Sequence, residues 1–469
     1  MNDDRRDWLK SAAALGLGAG LAAPAIGQPA SPPASPASPA PRAWQNWSGS
    51  ARCQPRQWLV PADEAELARA LPQSPGPLRS VGAGHSFTAL VPTEGSLVAL
   101  DRLSGLVAVD KAKNLVRVRA GTRLGALARE LDAQGLALVN QPDIDVQSLA
   151  GALATGTHGT GATLPALHAE VQALRLVTPA GEILEASAEG KNPELLAAAQ
   201  VSLGALGVIT EYTLRVRPRY MLRRRVWLER TEALLERAPE LARTHRHFEM
   251  YVLPFTGHSA AISHAEVAPG QAEHPPHSAD EDVLADLRRL RDWLGRWPEL
   301  RRWTASKLIA QAKPEAALDW SWRLLSTVRP TRFNESEYHV PRERGIACLR
   351  EIVATLERRN EVFFPIEFRY IKGSEDQAWL SPFHRRDSCS IACHAAHDEA
   401  YDYLVKELGP VFRRHEGRPH WGKLHDLGAA QLQALYPRFA DFQRLRRQLD
   451  PQGRMLNAHL SKLFGGPHG

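Results

Sequence analysis

Two glycine-rich runs and one alternating charged pair hold the residue types from which a reaction site can be built. Gly82-Ala83-Gly84-His85-Ser86-Phe87 sets a histidine among residues small enough for the backbone to come very close to a ligand. Gly151-Ala-Leu-Ala-Thr155-Gly156-Thr157-His158-Gly-Thr-Gly161-Ala162 repeats the arrangement about seventy residues later, with short hydroxyls beside the glycines. Main-chain N–H groups and threonine hydroxyls in such runs suit a flat or phosphorylated ligand, although a Gly-rich turn between core strands would look the same. Neither run is a Rossmann fingerprint, because Phe87 stands where G-x-G-x-x-G needs its third glycine. Glu367 and Arg369 lie two apart on Val362–Ile371, which reads as a strand, so both project from one face while Ile366, Phe368 and Tyr370 project from the other. Such a pair is either a cross-strand salt pair or a proton-handling carboxylate beside a fixed cationic fork.

A third cluster, Asp387-Ser-Cys389-Ser-Ile-Ala-Cys393-His394-Ala-Ala-His397, has the composition of a metal site. On a strand, however, Cys389, Ile391 and Cys393 share one face and Ser390, Ala392 and His394 the other. The four ligand types then cannot converge on one ion, and no metal is expected.

The elements that position these residues are short. Ala62–Leu71 reads as a helix opened by Pro61, and strands are expected at Leu78–Val81, Ser96–Asp101, Leu106–Asp110 and Leu115–Ala120. Gly121-Thr122 opens a helix running to about Gln134. Strands at Glu170–Thr178 and Glu182–Glu185, a helix near Pro193–Gln200 and a strand ending at Arg217 follow. Pro218 marks a domain border. Beyond it the polar stretch 266–282 reads as a loop or insertion, and the Arg-rich stretch Asp286–Trp303 as a single surface helix covering the second domain.

The chain has 469 residues, enough for two or three domains. Its 43% hydrophobic content is that of a globular protein with a substantial core. The net charge of +6 is spread out and gives no argument for a nucleic-acid partner. Residues 1–27 read as an export signal: Arg5-Arg6-Asp7-Trp8-Leu9-Lys10, an Ala/Gly/Leu-rich stretch, then Ala23-Pro24-Ala25. The arginine pair resembles a twin-arginine signal, which implies a periplasmic protein folded around a cofactor before export. Membrane association is compatible with this but not required. Residues 28–42 are a Pro/Ala/Ser spacer. Cys53, Cys348, Cys389 and Cys393 allow three pairings, and nothing in the sequence selects one.

Ser80-Val81-Gly82-Ala83-Gly84-His85-Ser86, the 151–159 run and Gly204-Ala-Leu-Gly207-Val-Ile209-Thr resemble the FAD-binding domain of vanillyl-alcohol-oxidase (PCMH) type. Glu367-Phe-Arg369 and Arg418-Pro-His420-Trp-Gly-Lys423 resemble the sugar-lactone and alditol oxidases within that superfamily, over residues 44 to 469. The resemblance implies an α+β protein with an FAD-binding domain at 43–218 and an α+β substrate cap at 219–469, whose last fifty or so residues return to the flavin. Ser80, Val81, Gly82, Ala83, Gly84 and Ser86 would hold the FAD diphosphate, with His85 attached covalently to the flavin. Ser148, Gly151, Thr155, Gly156, Thr157 and His158 would line the diphosphate and ring, with Ile209 giving backbone contacts and His420 near the ring. Glu367, Arg369 and Lys423 would be catalytic and also bind substrate.

Two departures bear on the substrate. Where alditol oxidases carry a His and a Thr two apart, Ala392 and His394 stand here, which makes His394 a candidate contact. Where they carry a serine, Asp143 falls, a carboxylate able to bind two hydroxyls or repel an anion. The implied reaction is oxidation of an alcohol carbon on a sugar-derived lactone or polyol, with reoxidation by oxygen or an envelope electron carrier. An alditol or other carbohydrate oxidase is the alternative among enzymes, and a flavin-bearing electron-transfer or binding protein the alternative outside them.

Overall fold

The sheet that carries Glu367 and Arg369 runs through the whole second half of the chain. In the computed structural model, which describes residues 42–273, 280–309, 313–327, 329–375 and 378–466, it is antiparallel throughout. Its order is Glu315–Trp320, Met221–Arg230, His258–Val267, His247–Leu253, Ile366–Ile371, Ser388–Ala396, Phe333–Pro341 and Arg418–Pro419. Its four central strands alternate strictly. Met250, Phe368, Tyr370, Cys389, Ile391, Cys393, Tyr338 and Val340 are buried on one face, packed with Cys348, Leu349 and Ile352 of the helix Gly345–Leu356. The opposite face carries Glu249, Tyr251, Glu367, Arg369, Ser390, His394, Glu335 and Glu337, which a period of two brings side by side.

Residues before Met221 build, besides two short two-stranded pairings, two smaller sheets. Gln57–Leu59, Ser96–Ala99 and Leu78–Val81 form a parallel three-stranded sheet. Ile183–Ser187, Val171–Val177, Val208–Arg215, Leu115–Arg119 and Leu106–Asp110 form an antiparallel one. The C-terminal segment closes back on this part: Leu78 N–H donates to Arg454 O at 2.7 Å, and Asn457 donates to Ala89 O and Pro92 O at 2.9 and 2.8 Å.

Several sequence expectations shift. The strand expected at Val362–Ile371 begins at Ile366, since Pro365 supplies no ladder N–H. The helix expected at Ala62–Leu71 runs Glu64–Ala70, capped by Asp63 and not opened by Pro61. The single helix expected over Asp286–Trp303 is two, Asp280–Leu294 and Pro298–Ile309, with Pro298 opening the second. The stretch expected as a loop begins as strand, which runs through Val267. Part of the 151–162 run is helical, because Ser148 caps Leu149–Ala154 by accepting from Gly151 N–H. The expected export signal and all but the last residue of the expected spacer lie outside the described residues. No helix among the described residues is long and apolar enough to cross a membrane. All four cysteines are free thiols.

Candidate active site

The two glycine runs face each other across a cleft. Its walls include Ser80, Val81, Gly82, Ala83, Gly84, His85, Ser86, Ser148, Gly151, Thr155 and Ile209. A Cβ on Gly82 would sit 2.1 Å from Ser148 Oγ, so glycine is what lets the two runs close. Gly84 takes φ +72°, which turns the chain into His85. Arg79, fully enclosed, ties the cleft floor together: its guanidinium donates to Leu90 O, Leu203 O, Gly204 O and Met455 O at 2.6 to 3.0 Å. Ser80 Oγ is buried in this wall with no protein partner. An unsatisfied hydroxyl, exposed backbone at small residues and an elongated cradle together fit the diphosphate and flat ring of FAD.

His85 stands at the inner end, stacked on Trp47 with centroids 5.1 Å apart. Burial, with help from the charges of Lys423 and Arg123, lowers its pKa to about 4, so the imidazole is neutral at physiological pH. The loop is stitched to the C-terminal motif. Phe87 N–H donates to Gly422 O at 2.7 Å and Thr88 Oγ1 to Trp421 O at 3.1 Å. That motif reaches the site by extending the edge of strand Phe333–Pro341: Tyr338 and His339 pair with Pro419 and Arg418, His420 N–H donates to Glu337 O and Leu424 N–H to Glu335 O.

A second cavity adjoins the cleft at His85, Ser86, Gln147 and Thr155 and is lined by Glu367, Arg369, Lys423, His158, His394, His420 and Asp143. Glu337 is its hub. Its carboxylate accepts from His158 Nε2 and Arg369 Nη2, each at 2.9 Å, and from the Ser390 hydroxyl. Burial alone would raise its pKa; Arg369 and His158 outweigh that and hold it well below the usual carboxylate range. His158 Nδ1 lies 2.8 Å from Gly159 O, which fixes the ring from its other side. His339 brings a further ligand atom within 4.8 Å of His158 and Glu337, but the guanidinium already on that carboxylate opposes a second cation.

Glu367 accepts from the Tyr251 hydroxyl at 2.7 Å and sits 3.2 Å from Arg369 Nη2. Burial and then Glu367 itself push the Tyr251 phenol far upward, so it stays a donor. Burial would lower the Arg369 pKa, but Glu367 and Glu337 raise it on balance, and the guanidinium stays charged. Arg369 Nε is buried without a protein partner. Lys423 pairs with Glu335. His394 lies 3.7 Å from Glu335 and 3.2 Å from Pro365 O, its pKa lowered by burial. Burial lowers His420 to about 3, leaving a neutral ring whose Nδ1 accepts from Gly422 N–H at 3.1 Å.

The cavity thus gathers Glu367, Arg369, Lys423, His394, His158, Thr155, Thr157 and His420. Gly156 stands just behind, at φ +79° against Pro382. Asp143 lies in the wall with its carboxylate paired to Arg329 and accepting from Thr327 Oγ1 at 3.1 Å, so it meets the cavity as half of an ion pair. Burial raises its pKa, and Arg329 more than reverses the effect. Glu335, Glu337, Tyr251, Arg329 and Trp47 escaped the sequence reading. For the first two, the run Asn334-Glu335-Ser336-Glu337 is polar on both faces and offers no contrast to read.

Residues 212–463 match the family described as D-arabinono-1,4-lactone oxidase, and residues 55–187 the FAD binding domain. The chain is 34% identical over 433 residues to the L-gulono-1,4-lactone dehydrogenase of Mycobacterium tuberculosis (strain ATCC 25618 / H37Rv), spanning 90% of this chain and 99% of that one. The chain belongs to the D-arabinono-1,4-lactone oxidase family. It is therefore an FAD-dependent oxidoreductase of the aldonolactone oxidase and dehydrogenase group, acting on CH–OH. Other family relatives are the L-gulonolactone oxidase of Bos taurus, 30% identical over 90% of this chain and 98% of that one, and the alditol oxidase of a Streptomyces species, 30% identical over 90% and 99%. Among solved structures, a solvent-stable cholesterol oxidase superposes with a TM-score of 0.73 at 17% identity, over 90% of this chain and 97% of that one. The cholesterol oxidase of B. sterolicum gives 0.70 at 18%, over 90% and 96%. These likenesses bear out the α+β fold of vanillyl-alcohol-oxidase type.

Proposed function

We propose that the chain oxidises an alcohol carbon of a sugar-derived lactone of D-arabinono-1,4- or L-gulono-1,4-lactone type. The observation that carries this reading is the buried Tyr251–Glu367–Arg369–Glu337 chain of hydrogen bonds and ion pairs, set against the neutral His85 end of the cofactor cleft. FAD bound in the cleft supplies the two-electron acceptor. Glu367, fixed from two sides, orients the substrate hydroxyl and takes its proton. The charge of Arg369 offsets negative charge that develops beside it. Lys423, on the loop joined to His85, polarises the reacting hydroxyl, and His394 contacts the far end of the sugar. His85 carries the covalent link to FAD; its burial keeps a lone pair available as nucleophile.

In this reading 43–218 serves the cofactor and 219–469 the substrate. Arg5-Arg6 supports export by the twin-arginine route to the periplasm, where oxygen or an envelope carrier reoxidises the enzyme. Anaerobic addition of a panel of lactones and alditols to the yellow protein tests the proposal. A lactone is expected to bleach it, and the speed of recolouring in air distinguishes oxidase from dehydrogenase. Bleaching by alditols alone would shift the substrate class, and bleaching by nothing in the panel would refute the reading.

A further inference from the structure

We propose that the substrate, or a competing ligand of the same site, carries an uncharged alkyl or aryl substituent that lies in an apolar chamber opening off the reaction cavity. This rests on the reading of that cavity as the place where a polyhydroxylated head is oxidised. The chamber encloses about 2230 Å³ of empty space against about 840 Å³ for the reaction cavity, both counted out to open solvent. The two share Asp143, Tyr251, Arg329, Phe333, Arg369 and His394 as a common wall. Among the described residues, the chamber shares none with the cofactor cleft. Among the described residues the order is therefore cleft, reaction cavity, chamber.

The chamber walls are aliphatic and aromatic: Leu228, Leu253, Ile262, Leu284, Leu287 and Phe364. Leu284 and Leu287 come from the helix Asp280–Leu294, which covers it. Most of its charged groups are paired, neutral or at the rim. Arg329 is paired with Asp143. Glu249 is raised to about 8 by burial, Glu367 and Asp143, and His264 is lowered to about 3 by burial, so both are largely uncharged at neutral pH. Asp286, Lys313 and Glu315 are exposed and form a rim, while Arg224 lines the wall half-buried. A bare lactone, hydroxylated all round, has nothing to bury against these walls, and water held there would wet apolar surface at a cost. An alkyl or aryl group attached to the head fills the space, while its hydroxyls stay among Glu335, Glu367 and Arg369.

Ala260, half-buried on strand His258–Val267, lines the chamber away from the reaction cavity. Calorimetric binding of methyl, butyl, hexyl and octyl β-D-glucopyranosides to the holoenzyme, below their micelle concentrations, tests the inference without turnover. Affinity is expected to rise up to about fourfold per added methylene. Octyl glucoside should raise the KM for L-gulono-1,4-lactone without lowering kcat. Ala260→Phe, which puts a ring into the chamber, should flatten the chain-length series and leave lactone turnover within about twofold; Leu284→Asp gives the same series test if Ala260→Phe does not fold. Affinity independent of chain length, or a series equally steep in both variants, would overturn the chamber assignment. Failure of lactones to bleach the enzyme is a separate result and bears on the proposed function instead.

Discussion

Arg369 reaches across the Ser388–Ala396 strand, beside Ser390, to meet Glu337 at 2.9 Å two strands away, with almost no solvent on either side chain. The contact runs diagonally across the register: Arg369 pairs with Ser390 and Ser390 with His339, and Glu337 stands two residues from His339 on the same face of its strand. Removing one partner of such a pair strands the other charge.

Glu337→Ala is accordingly expected to cost about 3–5 kcal/mol of unfolding free energy. Glu337→Gln, which keeps an acceptor, should cost less. Because the native pKa is depressed, the contribution of Glu337 is fully present above its unfolded value of about 4.3 and disappears as pH falls further. Urea titrations of the three proteins at neutral pH check this, and a cost for Ala below about 1 kcal/mol would contradict a closed pair.

Glu249 behaves in the opposite sense. Its carboxyl is raised to about 8, first by burial and then by Glu367 and Asp143. It therefore stabilises the fold most below its unfolded value of about 4.3, and that contribution is lost as pH climbs through 8. Glu249→Gln should flatten the decline of stability between those limits. Thermal melts across the range read it out, and an unchanged slope in the variant would rule the group out.

The covalent link has a test that needs no substrate. Acid-precipitated wild-type protein should stay yellow, and His85→Ala should surrender its colour to the supernatant. A colourless wild-type pellet means that the cofactor is held without a bond to His85.

The glycine runs and the Glu367/Arg369 pair were legible because each is local. Small residues allow close approach wherever they stand, and a period of two assigns faces without knowledge of the neighbours. The helical start of the 151–162 run was not legible within it, because Ser148, outside it, caps the helix through Gly151. Glu337 was missed for a different reason. Its own strand is polar on both faces, with Asn334 and Ser336 also buried, so alternation gave no contrast between inside and outside. What makes Glu337 the hub is that three residues from 32 to 179 positions away converge on it, which only the strand order reveals. Asp143 was read as free because its partner Arg329 lies 186 residues on.

Single-turnover bleaching of the flavin by L-gulono-1,4- or D-arabinono-1,4-lactone, compared between wild type and Glu367→Gln, probes the proposed chemistry most directly. Wild type should bleach within one turnover, and the variant, retaining bound FAD, at least about a hundredfold more slowly. A variant that bleaches as fast as wild type would show that Glu367 takes no proton in the reaction.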